Sequence, residues 1–304
     1  CGKLRGNTVS HGVVVDIIYI FKQTINLAIS IQHLKYKHTK ISMDSKEKAL
    51  LLSGGIGGPF TIAIYTPLRN AITLGAKYDA NALSLYKKTL KHSLGFTGAL
   101  SPTIFSCPQF VAMGPAYHLY ASQLGSSLAV VPTAITESLI SFGSQCRNAQ
   151  LAYNITVSDL KLRVQLLQKP YNPIHAGLLP HVLRNAVAMS GIRIFNEPCT
   201  SAINSFLKGY DNEHIKSFLG DFSASILAAG LSMPFNQCFN YLAVTPAASA
   251  RDIAKFLDSQ YFYQGRISPR LLRDLGMRIA YNAPQLTTFV VIERMAIDFF
   301  ATTR

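Results

Sequence analysis

The chain has 304 residues, of which 49% are apolar and 14% are charged, and its formal net charge is +14. Soluble domains carry about 25% charged residues, so this composition argues against an ordinary soluble protein and favours burial in a membrane. An excess of Lys and Arg attracts nucleic acid or anionic lipid. Because the basic residues are spread through the loops between apolar stretches, we expect anionic lipid as a partner and no nucleic acid.

Cysteine and histidine spacing gives no sign of a metal centre. The five cysteines stand far apart without a Cys-x-x-Cys pair, and the eight histidines show no His-Glu-x-x-His spacing. These patterns predict neither a disulfide framework nor a metal site. The sequence also shows no set of nucleophile, base and orienting residue and no phosphate-binding loop, so we expect no catalytic residues, no enzymatic activity and no cofactor.

Residues 1–46 form an N-terminal extension. Its segment 13–31 is apolar over about one membrane span but contains Asp16 and Lys22. A charge within a span usually faces protein or water, so this segment could cross the membrane, lie on its surface or hold a partner. The polar residues 34–48 are predicted to form a linker.

Six long stretches of low charge follow, and each reaches the ~20 residues that a membrane helix needs. They cover residues 49–76, 99–123, 126–154, 175–199, 214–243 and 270–299. Prolines inside them, such as Pro67 and Pro234, are tolerated where neighbouring helices or a water-filled cavity satisfy the freed carbonyl groups. Three short charged segments with helical periodicity, 80–92, 157–168 and 248–260, predict amphipathic surface helices.

The long stretches repeat along the chain. Residues 53–72 and 220–239 both carry a pattern of small residues followed by a proline, and Cys146 takes the proline position in the third stretch. Pro132 offers an alternative register for that stretch. The even stretches 177–197 and 265–293 share Gly, Pro, Leu, Arg and a terminal Glu. The chain therefore reads as three units of long helix, surface helix and long helix.

This arrangement resembles the mitochondrial carrier family over about residues 47–300. The resemblance implies an all-α membrane protein of the mitochondrial inner membrane. Its fold would be the six-transmembrane-helix carrier fold, in which three tandem repeats with short matrix helices surround a central cavity. The repeats would cover residues 47–123, 124–209 and 210–304, after the N-terminal helical extension 1–46. An unrelated six-helix channel or helical membrane protein is the alternative.

The family closes its cavity on the matrix side with three ion pairs. Each odd helix carries a proline, an acidic residue two positions later and a basic residue five positions later. The matching positions in this chain are Pro67, Arg69 and Ile72; Cys146, Asn148 and Leu151; and Pro234, Asn236 and Phe239. None of the three pairs is present, and the register on Pro132 gives Ala134 and Glu137 instead. We expect Ile72, Leu151 and Phe239 to converge as an apolar plug that holds the protein in one state.

The gate on the opposite side is also degenerate. The family ends each even helix with an acidic residue followed three positions later by a basic one. The matching positions here are His118 with Ala121, Glu197 with Thr200, and Glu293 with Ala296. Two acidic residues remain and every basic one is lost. Glu197 and Glu293 could cap helix contacts, bind a basic residue of a partner, or lie in solvent.

Two further features follow from the resemblance. Arg184 and Arg278 occupy even helices where the family often places cavity arginines, so they form either an anion site or a structural pair in a water-filled cavity. Gly98 and Gly265 end aromatic-x-Gly turns, and in the family the helix amides after such turns bind cardiolipin phosphates. Bound cardiolipin is therefore expected.

The loss of gating charges together with retained Gly and Pro positions predicts a carrier homologue that does not transport. We expect a structural accessory subunit of an inner-membrane assembly such as a respiratory complex, a supercomplex or ATP synthase, with the other subunits and anionic lipids as partners. The alternative is a diverged transporter of a small anionic metabolite that uses a different gating network.

Overall fold

The computed structural model describes residues 53–263 and 265–302, without the side chains at 53, 263, 289, 290, 293 and 300–302. The predicted N-terminal extension 1–46, including its segment 13–31, lies outside these residues. The described chain is predominantly helical, which confirms the all-α class. Its α-helices are α1 (Gly58–Gly75), α2 (Ala82–Leu90), α3 (Leu100–Leu124), α4 (Val130–Asn154), α5 (Leu178–Arg193), α6 (Asn196–Phe206), α7 (Glu213–Val244), α8 (Ala250–Tyr261) and α9 (Pro269–Thr302).

Short turns complete the described chain. A π-helical turn, Ser53–Gly57, precedes α1, and 3-10 turns lie at Ser93–Gly95 and Leu160–Leu162. Strand β1 (Phe262–Tyr263) pairs antiparallel with β2 (Arg266–Ile267) before α9.

The long helices α1, α3, α4, α5, α7 and α9 correspond to the six predicted stretches and form a closed ring. Each contacts the next one along the chain, and α9 returns to contact α1. In addition, the first, third and fifth helices of the ring, α1, α4 and α7, contact one another across it. These three are the odd helices of the ring. The ring therefore encloses a central space that the odd helices restrict.

One described helix meets a composition test for a membrane span. Among the helices that the structure describes, only α7, over Glu213–Ala243, is both long and apolar enough to cross a bilayer. The remaining long helices interleave Pro, Asn, Gln, Ser and Arg with their apolar residues. The six long helices form a ring, and length and composition alone do not assign all of them to a membrane.

The outer and inner faces of the ring have opposite character. Every long helix exposes large apolar side chains four residues apart, the spacing of one helix face. These pairs are Phe60 and Ile64, Leu100 and Ile104, Val131 and Ile135, Leu179 and Leu183, Leu227 and Leu231, and Met295 and Phe299. Buried side chains of the same helices include many Asn, Gln, Ser, Thr and Arg residues. Large apolar side chains therefore cover the outer face of the ring, while its interior combines polar groups with apolar clusters.

The fourth predicted stretch is divided in two. Helix α5 ends at Arg193 and α6 begins at Asn196, although the sequence suggested one helix over 175–199. Pro198 explains the break, because in a continuous helix its ring would clash with the carbonyl group of Ile194 four residues earlier. In the first turn of α6 the missing N–H of Pro198 leaves no hydrogen bond unmade.

The surface helix predicted over 157–168 is wrong. Apart from the turn Leu160–Leu162 this segment is not helical, because side chains of α4 bond its backbone instead. Asn154 accepts from the N–H of Val164 at 2.8 Å and donates to its carbonyl oxygen at 2.7 Å. Gln150 accepts from the N–H of Leu167 at 2.7 Å. These bonds replace the intrahelical bonds that an amphipathic helix would have made.

The other two surface helices are confirmed as α2 and α8, and both have side-chain caps. The carboxamide oxygen of Asn81 accepts from the N–H of Ser84 at 2.8 Å at the start of α2. At the start of α8, Ser249 and Asp252 form a capping box in which each side chain bonds the other residue's backbone N–H. Such caps stabilise a short helix by satisfying amides that have no intrahelical partner.

Candidate functional site

A central cavity is lined by residues from all six long helices. Its polar lining consists of Arg69, Thr73, Gln109, Glu137, Gln145, Asn148, Arg184, Asn185, Asn236, Asn240, Arg278, Tyr281, Asn282 and Gln285. Three guanidinium groups thus face one carboxylate, and the remaining polar groups are neutral. The cavity carries a net positive charge.

Arg184, on α5, is held by amide oxygens. It donates to Oε1 of Gln145 at 2.9 Å, to Oδ1 of Asn236 at 3.3 Å and to Oδ1 of Asn185 at 2.9 Å. Its guanidinium also lies 5.0 Å from the ring centroid of Phe239. These partners link α4, α5 and α7 and fix the side chain, but none of them carries a negative charge.

Arg278 and Arg69 have fewer partners. Arg278 donates from two nitrogens to Oγ of Ser232, each at 3.3 Å, and lies 5.7 Å from the ring centroid of Tyr281. All three guanidinium nitrogens of Arg69 are buried, and among the described residues none has a protein acceptor in regular hydrogen-bond geometry. The side chain of Tyr281 is the group that interacts with Arg69.

Glu137, on α4, is the single carboxylate of the cavity lining. Its Oε1 accepts from Nε2 of Gln109 at 2.7 Å. Glu137 and Arg184 attract each other electrostatically, but no ion pair within 4.0 Å joins them. The cavity arginines therefore remain largely uncompensated by protein charge.

Neutral contacts hold the C-terminal ends of α1, α4 and α7 together. Thr73 donates to Oδ1 of Asn240 at 3.3 Å, which joins α1 to α7. Gln150 donates to the carbonyl oxygen of Ala243 at 3.2 Å, which joins α4 to α7. Apolar packing adds to these bonds, because the rings of Phe142 and Phe239 lie edge to face with centroids 5.9 Å apart. No ion pair bridges the described parts of these three helices.

The positions that match the family's matrix gate are distributed as follows. Arg69, Ile72, Asn148, Asn236 and Phe239 line the cavity. Cys146 is buried in the apolar cluster that contains Phe142. Pro67 is buried in contact with Gly95, and Pro234 is half-buried in α7.

The predicted apolar plug forms only in part. Ile72 and Phe239 both line the cavity, but they belong to separate apolar clusters, Ile72 with Leu74 and Leu85 and Phe239 with Phe142. Leu151 is half-buried and does not line the cavity, because it packs beside Gly98 in the turn before α3. The plug prediction is therefore wrong for Leu151.

The opposite end of the ring contains the degenerate outer positions. Glu197 is exposed and Thr200 half-buried at a polar cleft that Arg294 also lines, and Ala296 is buried. His118 is exposed with its ring 5.8 Å from that of Tyr117, and Ala121 is half-buried. The side chain of Glu293 lies outside the described part of the chain.

An ion pair that the sequence did not predict joins α7 to α9 near this cleft. Arg294 lies 2.6 Å from the buried carboxylate of Asp221, which also accepts a hydrogen bond from Asn196. Arg294 follows Glu293 directly, and Asp221 lies in the third helical turn of an apolar stretch. An acidic residue in such a stretch is itself a signal that a buried partner exists.

Gly98 and Gly265, the predicted lipid positions, have similar backbones and different surroundings. Both have φ +73°. A Cβ on Gly98 would lie 2.7 Å from Nδ2 of Asn148, whereas nothing lies within 4 Å of a Cβ on Gly265. Each precedes a long helix, α3 or α9, by a few residues. Lipid binding at these turns stays a prediction.

The tertiary structure adds two residues to the candidate site. In the sequence, Arg69 was interpreted as the position where an acidic gate residue is lost, and Glu137 as a gate position in the alternative register of the third stretch. Both line the cavity together with Arg184 and Arg278. Among the described residues no three His, Cys, Asp or Glu side chains come together as metal ligands would. Comparison with known proteins shows no match to a family model and no match to a curated protein.

Proposed function

We propose that this protein is a carrier-like helical bundle of the mitochondrial inner membrane that does not transport, and that it serves as a structural accessory subunit of a respiratory complex, a supercomplex or ATP synthase. The observation that carries the proposal is the neutral closure of α1, α4 and α7 at one end of the cavity. Enzymatic activity is not part of the proposal.

The outer surface of the ring supports a membrane location. A soluble protein surrounds its core with polar faces, and exposed apolar residues there are usually scattered. Here all six long helices present aligned apolar pairs outward while Asn, Gln and Arg residues face inward. Lipid acyl chains would solvate such a surface, and the basic net charge of +14 suits anionic phospholipids such as cardiolipin.

The closed end of the cavity, where neutral contacts join α1, α4 and α7, supports a static role. Ion pairs can be exchanged for ligand contacts during a transport cycle, but amide and hydroxyl bonds combined with aromatic packing offer an anion no charged partner. Moving a two-state protein from 1:99 to 99:1 needs about 5.5 kcal/mol of differential ligand binding. Opening would have to separate Phe142 from Phe239 and break the Thr73–Asn240 bond without a new ion pair in exchange. A single closed state follows most simply.

Membrane embedding can be tested with a charged residue on the outer face. Leu139 lies near the middle of α4 and is 48% exposed. We expect Leu139→Lys to cost about 2.5 to 3.5 kcal/mol, because Lys is disfavoured by that amount at the centre of a membrane helix. Leu160→Lys, in the connecting turn, is the matched control and should change stability by less than about 0.5 kcal/mol. Equal tolerance of both substitutions in thermal unfolding would contradict a lipid-facing surface.

Assembly and transport can be tested on the same preparation. After mild detergent extraction of inner membranes, native gel electrophoresis should show the protein migrating with a large complex. Reconstituted liposomes loaded with phosphate or malate should show no exchange above protein-free liposomes, with an active carrier as the assay control. A free monomer with saturable exchange would refute the accessory-subunit proposal.

A diverged transporter of a small anion is the second candidate function. The cavity favours it, because three arginines and several amides face one carboxylate. The liposome experiment separates the two candidates directly: saturable anion exchange supports the transporter, and binding without exchange supports the static subunit.

A further inference from the structure

The connection between α4 and α5 is fastened to α4 by its backbone. Asn154 bonds both the N–H and the carbonyl oxygen of Val164, and Gln150 accepts from the N–H of Leu167. Arg147 donates to the carbonyl oxygen of Leu167 at 3.2 Å. Side chains of α4 thus hold the main chain of the connection at two places.

The residues that hold this connection share one face of α4. Gly143 belongs to the same face, and a Cβ there would lie 2.4 Å from the carbonyl oxygen of Pro170, so a larger side chain would push the connection outward. Steps of four, three and four residues separate the members of this face, which are Gly143, Arg147, Gln150 and Asn154. Such spacing aligns side chains along a helix. Helix α4 therefore holds the connection along one continuous face.

The other edge of the connection is open. Arg163 has an extended backbone, with φ −72° and ψ 141°, and residues 163–167 contain no turn. In an extended chain, successive residues direct their N–H and carbonyl groups to opposite sides. Val164 directs both groups to Asn154, so those of Gln165 point away from α4. Gln165 is exposed, and neither group bonds any residue that the structure describes.

The side chains beside this edge are apolar and basic. Leu160 and Leu162 are 71% and 64% exposed, and the neighbouring Lys161 and Arg163 are exposed as well. Residues 157–170 contain three basic residues and one acidic residue. A partner that covers this surface should therefore offer carboxylates together with apolar side chains.

Other occupants fit this surface less well than an acidic protein segment. A second copy of this chain carries a net charge of +14, and residues 1–46 contain seven basic and two acidic residues, so like charges disfavour both. A phospholipid surface supplies negative charge. It lacks, however, the row of alternating donors and acceptors that the edge of an extended backbone bonds.

We propose that the edge of the connection at Gln165 docks an extended acidic segment of another subunit, which adds to it as a β-strand. An exposed edge of extended chain is a template for such pairing, because its unpaired N–H and carbonyl groups can bond a second chain directly. Apolar contacts at Leu160 and Leu162 and charge contacts at Lys161 select the partner. The inference names the contact surface of the accessory-subunit role and rests on that role.

The test places a photoreactive amino acid at Leu162 of the full chain and maps its crosslinks in isolated inner membranes by mass spectrometry. We expect adducts with a protein segment whose acidic residues outnumber its basic ones. Leu83, on α2 at the same end of the ring, is the matched control, because it is 60% exposed but belongs to a helix whose backbone bonds are internal. It should give several-fold fewer protein adducts. Adducts with lipid alone, or with segments that have no acidic excess, would contradict the proposal.

Two substitutions test the mode of binding. Gln165→Pro removes the outward N–H and keeps Val164 in the extended region. Crosslinking from Leu162 should therefore fall about 2- to 10-fold, the effect of one lost hydrogen bond, whereas Gln165→Ala keeps the N–H and should crosslink as before. Lys161→Glu should reduce crosslinking by a similar factor, and Lys87→Glu, on the exposed face of α2, should not. Thermal midpoints of the purified variants verify that the fold is unchanged.

Native gel electrophoresis separates this inference from the role on which it rests. If the unaltered protein migrates with a large complex while Gln165→Pro and Lys161→Glu crosslink as their controls do, the docking edge is refuted and the accessory role stands. If the unaltered protein is a free monomer, the accessory role fails and the docking edge fails with it.

Discussion

Phe142 offers a direct test of the closed end. Its side chain is completely buried, and its ring lies 5.9 Å from that of Phe239 and 5.3 Å from that of His181, both edge to face. Phe142→Ala would remove both ring contacts and leave a void between α4, α5 and α7. If these contacts hold the odd helices together, the substitution should loosen that end of the ring and destabilise the whole bundle.

The magnitude follows from the environment. Phe→Ala costs about 3 to 5 kcal/mol in soluble cores. Helices solvated by lipid lack a hydrophobic driving force between them, so the cost here falls below that range and consists mainly of lost packing contacts. Each aromatic edge contact adds about 0.5 to 1.5 kcal/mol. We therefore expect Phe142→Ala to lower the free energy of unfolding by about 2 to 3 kcal/mol.

Two measurements check this expectation. Thermal unfolding in detergent should show a midpoint lowered by roughly 4 to 12 °C. In a background whose sole cysteine is Cys146, a fully buried neighbour of Phe142, maleimide labelling should become faster. Phe206→Ala is the control, because that ring is 85% exposed. If Phe142→Ala and Phe206→Ala behave alike in both assays, the closed end does not depend on this packing.

Two further predictions concern the turns and the surface charges. Both turns have positive φ, but a new methyl group meets Nδ2 of Asn148 only at Gly98. Gly98→Ala should therefore destabilise the bundle by about 1 kcal/mol more than Gly265→Ala. Equal midpoints in thermal unfolding would contradict this. The hydrogen bond from Arg270 lowers the pKa of Asp79 below its ordinary value. The Asp79–Arg270 pair therefore contributes to stability at a pH above that ordinary pKa, and the contribution is lost as the pH falls below it. Asp79→Asn should therefore show a smaller loss of thermal midpoint between pH 6 and pH 3 than the unaltered protein, and an unchanged acid profile would show that the pair adds nothing.

Local sequence patterns predicted the helices correctly where residues close in the sequence determine them. Asn81 and Ser249 precede charged amphipathic runs, and both become the caps of the surface helices α2 and α8. The long apolar stretches likewise become the six ring helices. Each of these outcomes depends on residues a few positions apart.

The second repeat shows the limit of such patterns. Residues 157–168 have the periodicity of a surface helix, but Asn154 and Gln150 of α4 bond their backbone and hold the segment in a mostly non-helical conformation. The competing partners are up to 17 residues away in the chain. A helical periodicity does not indicate that such partners are close, so this region could not be predicted from its own residues.

The candidate site likewise has a part that the sequence predicts and a part that depends on contacts between distant helices. The sequence by itself determined that the gate positions lack ion pairs and that Arg184 and Arg278 lie on helices, since residue identity and local periodicity suffice for both conclusions. Only the tertiary structure decided that Arg69 joins these two arginines while Leu151 packs away beside Gly98. The rotation of each helix about its axis decides which side chains share the cavity, and that rotation depends on contacts between helices distant in the chain.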